Sequence, residues 1–110
     1  LVAEKFEAMI SLAEFNSRMK DFFDIYRVLL ANSYDEKVLQ KAIAGTITRR
    51  NTSLPTSHAI FSADFVTDEK RNSQWQAFLK RANLQEDLVF ADVMDLIKKK
   101  LKPIYTGLQG

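Results

Sequence analysis

The sequence has no cysteine, and among its 110 residues there are only two prolines and three glycines. The absence of cysteine excludes disulfide bonds and thiolate metal sites, and it is typical of a reducing compartment such as the cytoplasm. Few prolines and glycines disfavour an all-β fold, which needs many tight turns. No apolar run approaches the roughly 18 residues of a membrane span. We therefore expect a cytoplasmic, largely helical protein without a membrane segment.

Material for a hydrophobic core is abundant. Hydrophobic residues make up 46% of the chain and include eight Phe, three Tyr and one Trp. A chain of this length forms one domain and can bury a sizeable core. The net charge of +2 is too small to argue for nucleic-acid binding by itself.

Apolar residues recur at steps of three and four, which is the pattern of amphipathic helices. The predicted helices span residues 2–14, 18–31, 34–49, 68–83 and 88–101, with a loop at 51–59 and a short turn at 60–66. We expect Ser33 and Glu36 to form a capping box at the third helix, and Pro103 to end the fifth. No segment alternates cleanly enough for a strand. The predicted fold is all-α, a single domain built as a bundle of about five helices.

Each predicted helix has one face that we expect to be buried. In chain order these faces are Val2, Phe6, Met9, Ile10 and Ala13; Met19, Phe22, Phe23, Tyr26, Leu29 and Leu30; Val38, Leu39, Ala42, Ile43 and Ile47; Trp75, Phe78, Leu79 and Ala82; and Val89, Phe90, Val93, Met94, Ile97 and Leu101.

The second helix carries charges that allow two interpretations. Lys20, Asp24 and Arg27 lie opposite its apolar face, which favours a solvated set of ion pairs contributing less than about 1 kcal/mol each. Asp21 lies at the border of the apolar face, where a partly desolvated carboxylate can act as a general base. Spacing alone leaves both interpretations open.

Two motifs favour the second interpretation. V-x-E-K occurs at residues 2–5 and R-x-K-D-x-x-D at residues 18–24. Together they resemble the C-terminal half of the AbiEii/AbiGii family of nucleotidyltransferase toxins, in which an EK pair on one helix precedes the second motif on the next. The later segments F-V-T-D, QWQAFL and V-x-x-x-I-x-x-x-L-K-P are also similar to the end of that family. The resemblance covers essentially the whole chain.

The resemblance implies a protein of two parts. The N-terminal core would be polymerase-β-like, with a Gly-Ser turn and an Asp-x-Asp/Glu motif that binds Mg²⁺ and NTP. The helical part would supply further residues across the cleft. Partners implied by the family are the NTP, a cognate antitoxin from the same operon and, for some relatives, tRNA as acceptor. The family is linked to phage defence.

This sequence lacks a Gly-Ser turn followed by Asp-x-Asp, and it starts with Leu1 rather than Met. We therefore expect it to be the C-terminal helical domain of a longer protein whose N-terminal core is missing here. Since phosphoryl transfer depends on metal ions and positioned charge, we expect this piece alone to hold no metal and to be inactive.

The motif matches imply roles for particular residues. Lys5 would meet the triphosphate, since a compact cation suits developing phosphate charge. Asp21 would act as general base or as organiser of the site. The remaining matches are Arg18 and Lys20 as nucleotide-binding residues and Glu4 and Asp24 as supporting residues.

Two basic clusters allow an alternative. Arg49 and Arg50, together with Lys98, Lys99, Lys100 and Lys102, form either a tRNA-facing patch or solvated helix ends. A non-catalytic helical module that binds protein or RNA is the competing function. His58 has no second ligand nearby in the sequence, and we expect no metal or catalytic role for it. Asp92 and Asp95 are expected to face solvent.

Overall fold

The computed structural model describes residues 2–12, 18–31, 34–55, 58–84 and 87–109. Its helices are α1 (Val2–Leu12), α2 (Met19–Ala31), α3 (Glu36–Arg50), a 3₁₀ turn (Ala59–Phe61), α4 (Ala63–Thr67), α5 (Glu69–Arg81) and α6 (Phe90–Leu108). The all-α prediction is confirmed, and the described ranges contain no strand. Within these ranges there are six α-helices instead of the expected five, because the short turn predicted at 60–66 contains a helix of its own. Ala13, Glu14 and Ser33, which the predictions used, lie outside the described residues.

The start of α3 differs from the prediction. Glu36 is the first helical residue, so it cannot be the third helical residue, which is the position that a capping box needs. Asp35 is the N-cap instead: its Oδ1 accepts hydrogen bonds from the backbone N–H groups of Lys37 at 2.8 Å and Val38 at 3.3 Å. A carboxylate at this position satisfies free N–H groups and complements the helix dipole.

The prediction that Pro103 ends the last helix is wrong, because α6 continues through it to Leu108. Proline removes one backbone hydrogen bond, but packing beyond it holds the last turns. Ile104 and Tyr105 are both buried. The Tyr105 hydroxyl donates a hydrogen bond to the carbonyl of Pro55, which fixes the loop after α3 against α6.

The core forms where α2 meets its neighbours. α1 packs against α2 and α3, while α2 also packs against α5 and α6. Phe22 of α2 meets Phe90 of α6 edge to face, with ring centroids 5.5 Å apart. Trp75 of α5 is fully buried beside them, and its indole N–H donates to the carbonyl of Leu88 at 2.8 Å. α2 is therefore enclosed on several sides.

Several residues predicted to face inward are exposed. They are Leu30 (62% exposed), Val38 (63%) and Val89 (47%), together with Ala42 and Ala82. On α2 the buried arc is shifted towards Asp21 and Ile25, because α1 packs on that side. A helical wheel shows which side of a helix is apolar, but the neighbouring helices decide how far the buried arc extends.

His58 has a structural role. Its Nε2 lies 2.8 Å from the carbonyl oxygen of Ile10, and its Nδ1 accepts a hydrogen bond from the backbone N–H of Ile60 at 3.2 Å. An accepting Nδ1 places the ring proton on Nε2, which then donates to Ile10. His58 thereby joins the loop after α3 to α1. No helix in the described ranges combines the length and apolar character of a membrane span.

A buried carboxylate joins α1 to the end of α3. Glu7 is only 4% exposed. It accepts hydrogen bonds from the Ser11 hydroxyl, from the Thr52 hydroxyl at 2.7 Å and from Arg50 Nη1 at 2.8 Å. Burial raises the pKa of Glu7, but these donors and the charge of Arg50 outweigh it, and the pKa lies below its ordinary value. Glu7 is therefore ionised at neutral pH.

The N-cap of α3 gives a first prediction. Replacement of Asp35 by Ala should lower the free energy of unfolding by about 1 kcal/mol, because two backbone N–H groups lose their acceptor. Chemical denaturation measures the change. Glu36→Gln is the matched control, since Glu36 is an exposed acid next to the cap and is not itself the capping residue; an equal loss in both variants would contradict the assigned cap.

Glu7 gives a second prediction, for stability against pH. Because folding lowers the pKa of Glu7 from 4.5, its contribution is fully present above that pH and is lost as the pH falls through the folded-state value. Glu7→Gln should cost about 1–3 kcal/mol at neutral pH, since a neutral amide satisfies the buried donors less well. The difference from wild type should shrink in acid.

Denaturation across a pH series from about 7 to about 3 measures this dependence. Asp95→Asn, at an exposed position on α6, serves as the control for the removal of a carboxylate. A Glu7→Gln deficit that stayed constant through the acid range would show that the charge of Glu7 does not contribute to stability.

Candidate functional site

The two predicted motifs meet at the interface between α1 and α2. Lys5, in the second turn of α1, points its ammonium group towards the first two turns of α2. Its Nζ lies 3.1 Å from Asp21 Oδ1 and 3.0 Å from Asp24 Oδ2. The three-residue spacing places both carboxylates on neighbouring positions of α2, so that one lysine reaches both.

Asp21 is the buried member of this group. Its side chain is 3% exposed, and its second oxygen, Oδ2, lies 3.4 Å from Arg18 Nε. The carboxylate is thus held between a lysine from α1 and an arginine that precedes α2. It also lies in the first turn of α2, where the helix dipole favours negative charge. A buried carboxylate needs such compensation, because removing it from water is costly.

Lys5 remains protonated well beyond neutral pH. Its hydrogen bonds to Asp24 and then to Asp21 raise the pKa of Lys5 above its ordinary value, and they outweigh the opposing effect of burial. At neutral pH the site therefore contains a lysine side chain that stays positively charged.

Asp24 is more than part of a solvated face. Burial raises the pKa of Asp24, but hydrogen bonds from Lys20 and Lys5 outweigh it and hold the pKa below its ordinary value. Lys20 Nζ is 2.8 Å from Asp24 Oδ2. Lys20 and Arg27 are exposed, as the ion-pair interpretation predicts, whereas Asp24 is partly buried between two lysines.

These side chains border an open cleft of about 290 Å³. The residues that line it are Glu4, Lys5, Ala8, Arg18, Asp21 and Arg50. Four of the six predicted site residues are thus brought together here. Lys20 and Asp24 are not among the lining residues; Asp24 contacts Lys5, and Lys20 contacts Asp24. Lys5, Arg18 and Arg50 are the cations of this lining, and charged N–H donors of this kind bind phosphate oxygens.

Arg50 is the lining residue that the motifs did not identify. The sequence grouped it with Arg49 in a basic cluster, but the two side chains diverge. Arg50 donates to buried Glu7, while Arg49 donates to the Thr46 hydroxyl at 3.2 Å. A signal existed in the sequence: Glu7 falls on the apolar face of α1, between Ala3 and Ile10, where an acid requires a partner.

The lysines of α6 do not form one patch with these arginines. Lys99 and Lys100 line a groove with Tyr34 at the start of α3, whereas Arg50 is at the other end of that helix. Lys98 lines a separate groove beside Phe61. In the described part of the chain, these basic residues therefore line three separate surface grooves: the cleft with Arg50, the groove with Lys99 and Lys100, and the groove with Lys98. Asp92 and Asp95 are exposed, as predicted.

The acidic residues of this cleft do not fit a resident Mg²⁺ ion. Magnesium takes oxygen ligands in near-octahedral geometry, but Asp21 is paired with Lys5 and Arg18, and the neighbouring Asp24 is paired with Lys5 as well. Among the described residues, no group of three or more His, Asp or Glu side chains is arranged to hold a metal. The donor set suits an anion better than a cation.

Comparison with known families agrees with the motifs. The model of the family described as nucleotidyl transferase AbiEii toxin, type IV toxin–antitoxin system, matches residues 1–99. Neither the curated proteins nor the solved structures contain a significant match to this sequence. Since the family match spans most of the 110 residues, the resemblance drawn from the two motifs is confirmed, and the chain belongs to the AbiEii family.

Proposed function

We propose that this chain is the helical part of a nucleotidyltransferase toxin and that its cleft supplies phosphate-binding and acidic residues to the nucleotide-transfer site. The observation that carries the proposal is the buried Asp21 carboxylate, held between Lys5 and Arg18 at the wall of the cleft. Removing a carboxylate from water is costly, and the two cations that compensate this charge both line the cleft, where they can also bind phosphate.

Family membership supports a toxin role and implies an antitoxin as partner. The proposal adds what the cleft does in that toxin. It also places the action of the toxin in the cytoplasm, where NTP and a tRNA acceptor are available, and in phage defence.

Lys5 and Arg18 would bind the phosphate chain of the nucleotide. Phosphoryl transfer requires little covalent chemistry from a protein and depends on positioned charge. Asp21 and Asp24 take up two of the three N–H directions of the Lys5 ammonium, which orients the third. Lys20 contributes positive charge nearby and fixes Asp24.

Asp21 would organise these cations. Its Oδ1 faces Lys5 and its Oδ2 faces Arg18, so both oxygens are engaged. This pairing favours the organiser role over that of a general base, which needs an accessible oxygen near the reacting hydroxyl. Glu4, at the rim of the same cleft, would assist in orientation.

Mg²⁺ and NTP would be bound chiefly by a nucleotidyltransferase core that this sequence does not contain. The Gly-Ser turn and the Asp-x-Asp/Glu motif expected of that core are absent from the sequence. The helical chain on its own would then be inactive. Detectable Mg²⁺-dependent nucleotide transfer by the purified chain would contradict the assignment of Mg²⁺ and NTP binding to the core.

The third prediction tests the cleft in the complete toxin. Lys5→Arg and Asp21→Asn, chosen because they nearly preserve volume, should reduce nucleotide transfer on the order of 100-fold, since both disturb charges aimed at the phosphates. Growth arrest on expression without the antitoxin, together with transfer by the purified toxin, provides the readout. Lys41→Ala, at an exposed lysine of α3, is the control.

Thermal unfolding of each variant separates a chemical effect from loss of the fold. If both variants were folded and as toxic as the wild type, the proposed role of the cleft would be wrong. Folded, active variants that no longer bound the antitoxin would instead identify the chain as a helical interaction module.

A further inference from the structure

Arg50 reaches the cleft from a third helix. Lys5 comes from α1, Arg18 from the residue before α2, and Arg50 from the last position of α3. The end of α3 is held in place by Asn51, whose left-handed backbone (φ 50°) lets the N–H of Thr52 donate to the carbonyl of Ile47 at 3.1 Å. This turn also brings the Thr52 hydroxyl to Glu7.

The contact between Arg50 and Glu7 uses one guanidinium nitrogen, and the Arg50 side chain is half exposed where it lines the cleft. Arg50 donates to Glu7 Oε1 through Nη1, while the hydroxyls of Ser11 and Thr52 both donate to Oε2. The arginine side chain remains 52% exposed. If the only role of Arg50 were to neutralise a buried carboxylate, a bidentate contact with both carboxylate oxygens would give a stronger interaction.

Each cation that lines the cleft forms an ion pair with at least one carboxylate. Lys5 contacts Asp21 and Asp24, and Arg18 contacts Asp21; all four residues belong to the two motifs. Arg50 has the same arrangement with Glu7, although neither residue belongs to a motif. An ion pair of this kind restricts a long side chain before a ligand binds, and it therefore reduces the conformational entropy that is lost on binding.

The charges around the cleft indicate which anions it would select. Glu4 and Asp21 also line it, so the cleft is only modestly positive despite its three cations. A ligand with a single negative charge would gain little there. A phosphate chain carrying several charges has enough oxygens to pair with more than one of these cations.

We infer that Arg50 is a third phosphate-binding residue of this cleft, and that Glu7, held by Ser11 and Thr52, is its positioning residue. This inference rests on the proposed function, which it extends to the end of α3. The ligand class is a linear oligophosphate such as the triphosphate of a nucleotide.

The fourth prediction is measured on the chain itself by calorimetric titration with inorganic tripolyphosphate. Arg50→Ala should weaken binding about tenfold, the loss expected when a charge-assisted hydrogen bond is removed. Arg50→Lys, which retains the charge but not the planar fork, should weaken it about threefold. Arg49→Ala is the matched control and should bind as the wild type, because Arg49 does not line the cleft.

A double-mutant cycle tests the positioning role of Glu7. Glu7→Gln should weaken binding about threefold in the wild-type background and should have no further effect in the Arg50→Ala background, because its influence passes through Arg50. A purely structural Glu7 would reduce affinity equally in both. Circular dichroism confirms that each variant is folded, and Arg50→Lys retains the partner of Glu7 if Arg50→Ala does not fold.

Three results would overturn the inference: no binding of tripolyphosphate by the wild-type chain at millimolar concentration, equal losses for Arg49→Ala and Arg50→Ala, or additive effects of Glu7 and Arg50. These failures can be distinguished from failure of the proposed function, which depends on the Lys5 and Asp21 variants in the complete toxin. Loss of transfer in those variants with normal binding in Arg50→Ala would retain the function and remove Arg50 from it.

Discussion

The ion pair between Lys5 and the buried Asp21 is the constraint on which the site depends. This ion pair joins α1 to α2. Two residues later in α1, Glu7 forms a second ion pair, with Arg50, which joins α1 to the end of α3. In the first contact α1 supplies the cation, and in the second it supplies the carboxylate. α1 is therefore held between α2 and α3 by charged contacts of opposite polarity, both close to one cleft.

Buried charges are a poor way to gain stability. The cost of removing two ions from water offsets much of their attraction, and an apolar pair of similar volume often stabilises a fold equally well. What buried pairs do provide is a unique arrangement, since leaving one partner alone in the interior is strongly unfavourable. The core around Phe22 and Trp75 already stabilises the bundle. The charged contacts of α1 are thus better explained by the need to fix cation positions at the cleft than by stability.

Local patterns in the sequence were enough to predict the helices, but not what surrounds them. The helical class and most of the α1 and α6 faces follow from three- and four-residue periodicity, a property of each segment alone. Leu30 and Val38 were misassigned because burial depends on which helix packs alongside. Pro103 was misjudged because buried residues beyond it outweigh one lost hydrogen bond. Likewise, Lys5 and Asp21 belong to recognisable motifs, whereas Arg50 is 43 residues from Glu7 and only the fold brings them together.

The direction of the pKa shifts adds a last argument about how the cleft works. Hydrogen bonds raise the pKa of Lys5 and lower the pKa values of Glu7 and Asp24. Each of these pKa values is thereby moved further away from neutral pH. Around neutral pH these three groups keep a constant charge. A site that shuttles protons needs a group that titrates near the working pH, whereas a site that holds phosphates needs charges that do not change. Lys5 lines the cleft and has the second property, while Asp24 and Glu7 contact cations of the cleft; this supports binding and orientation of an anion as the proposed role of the cleft.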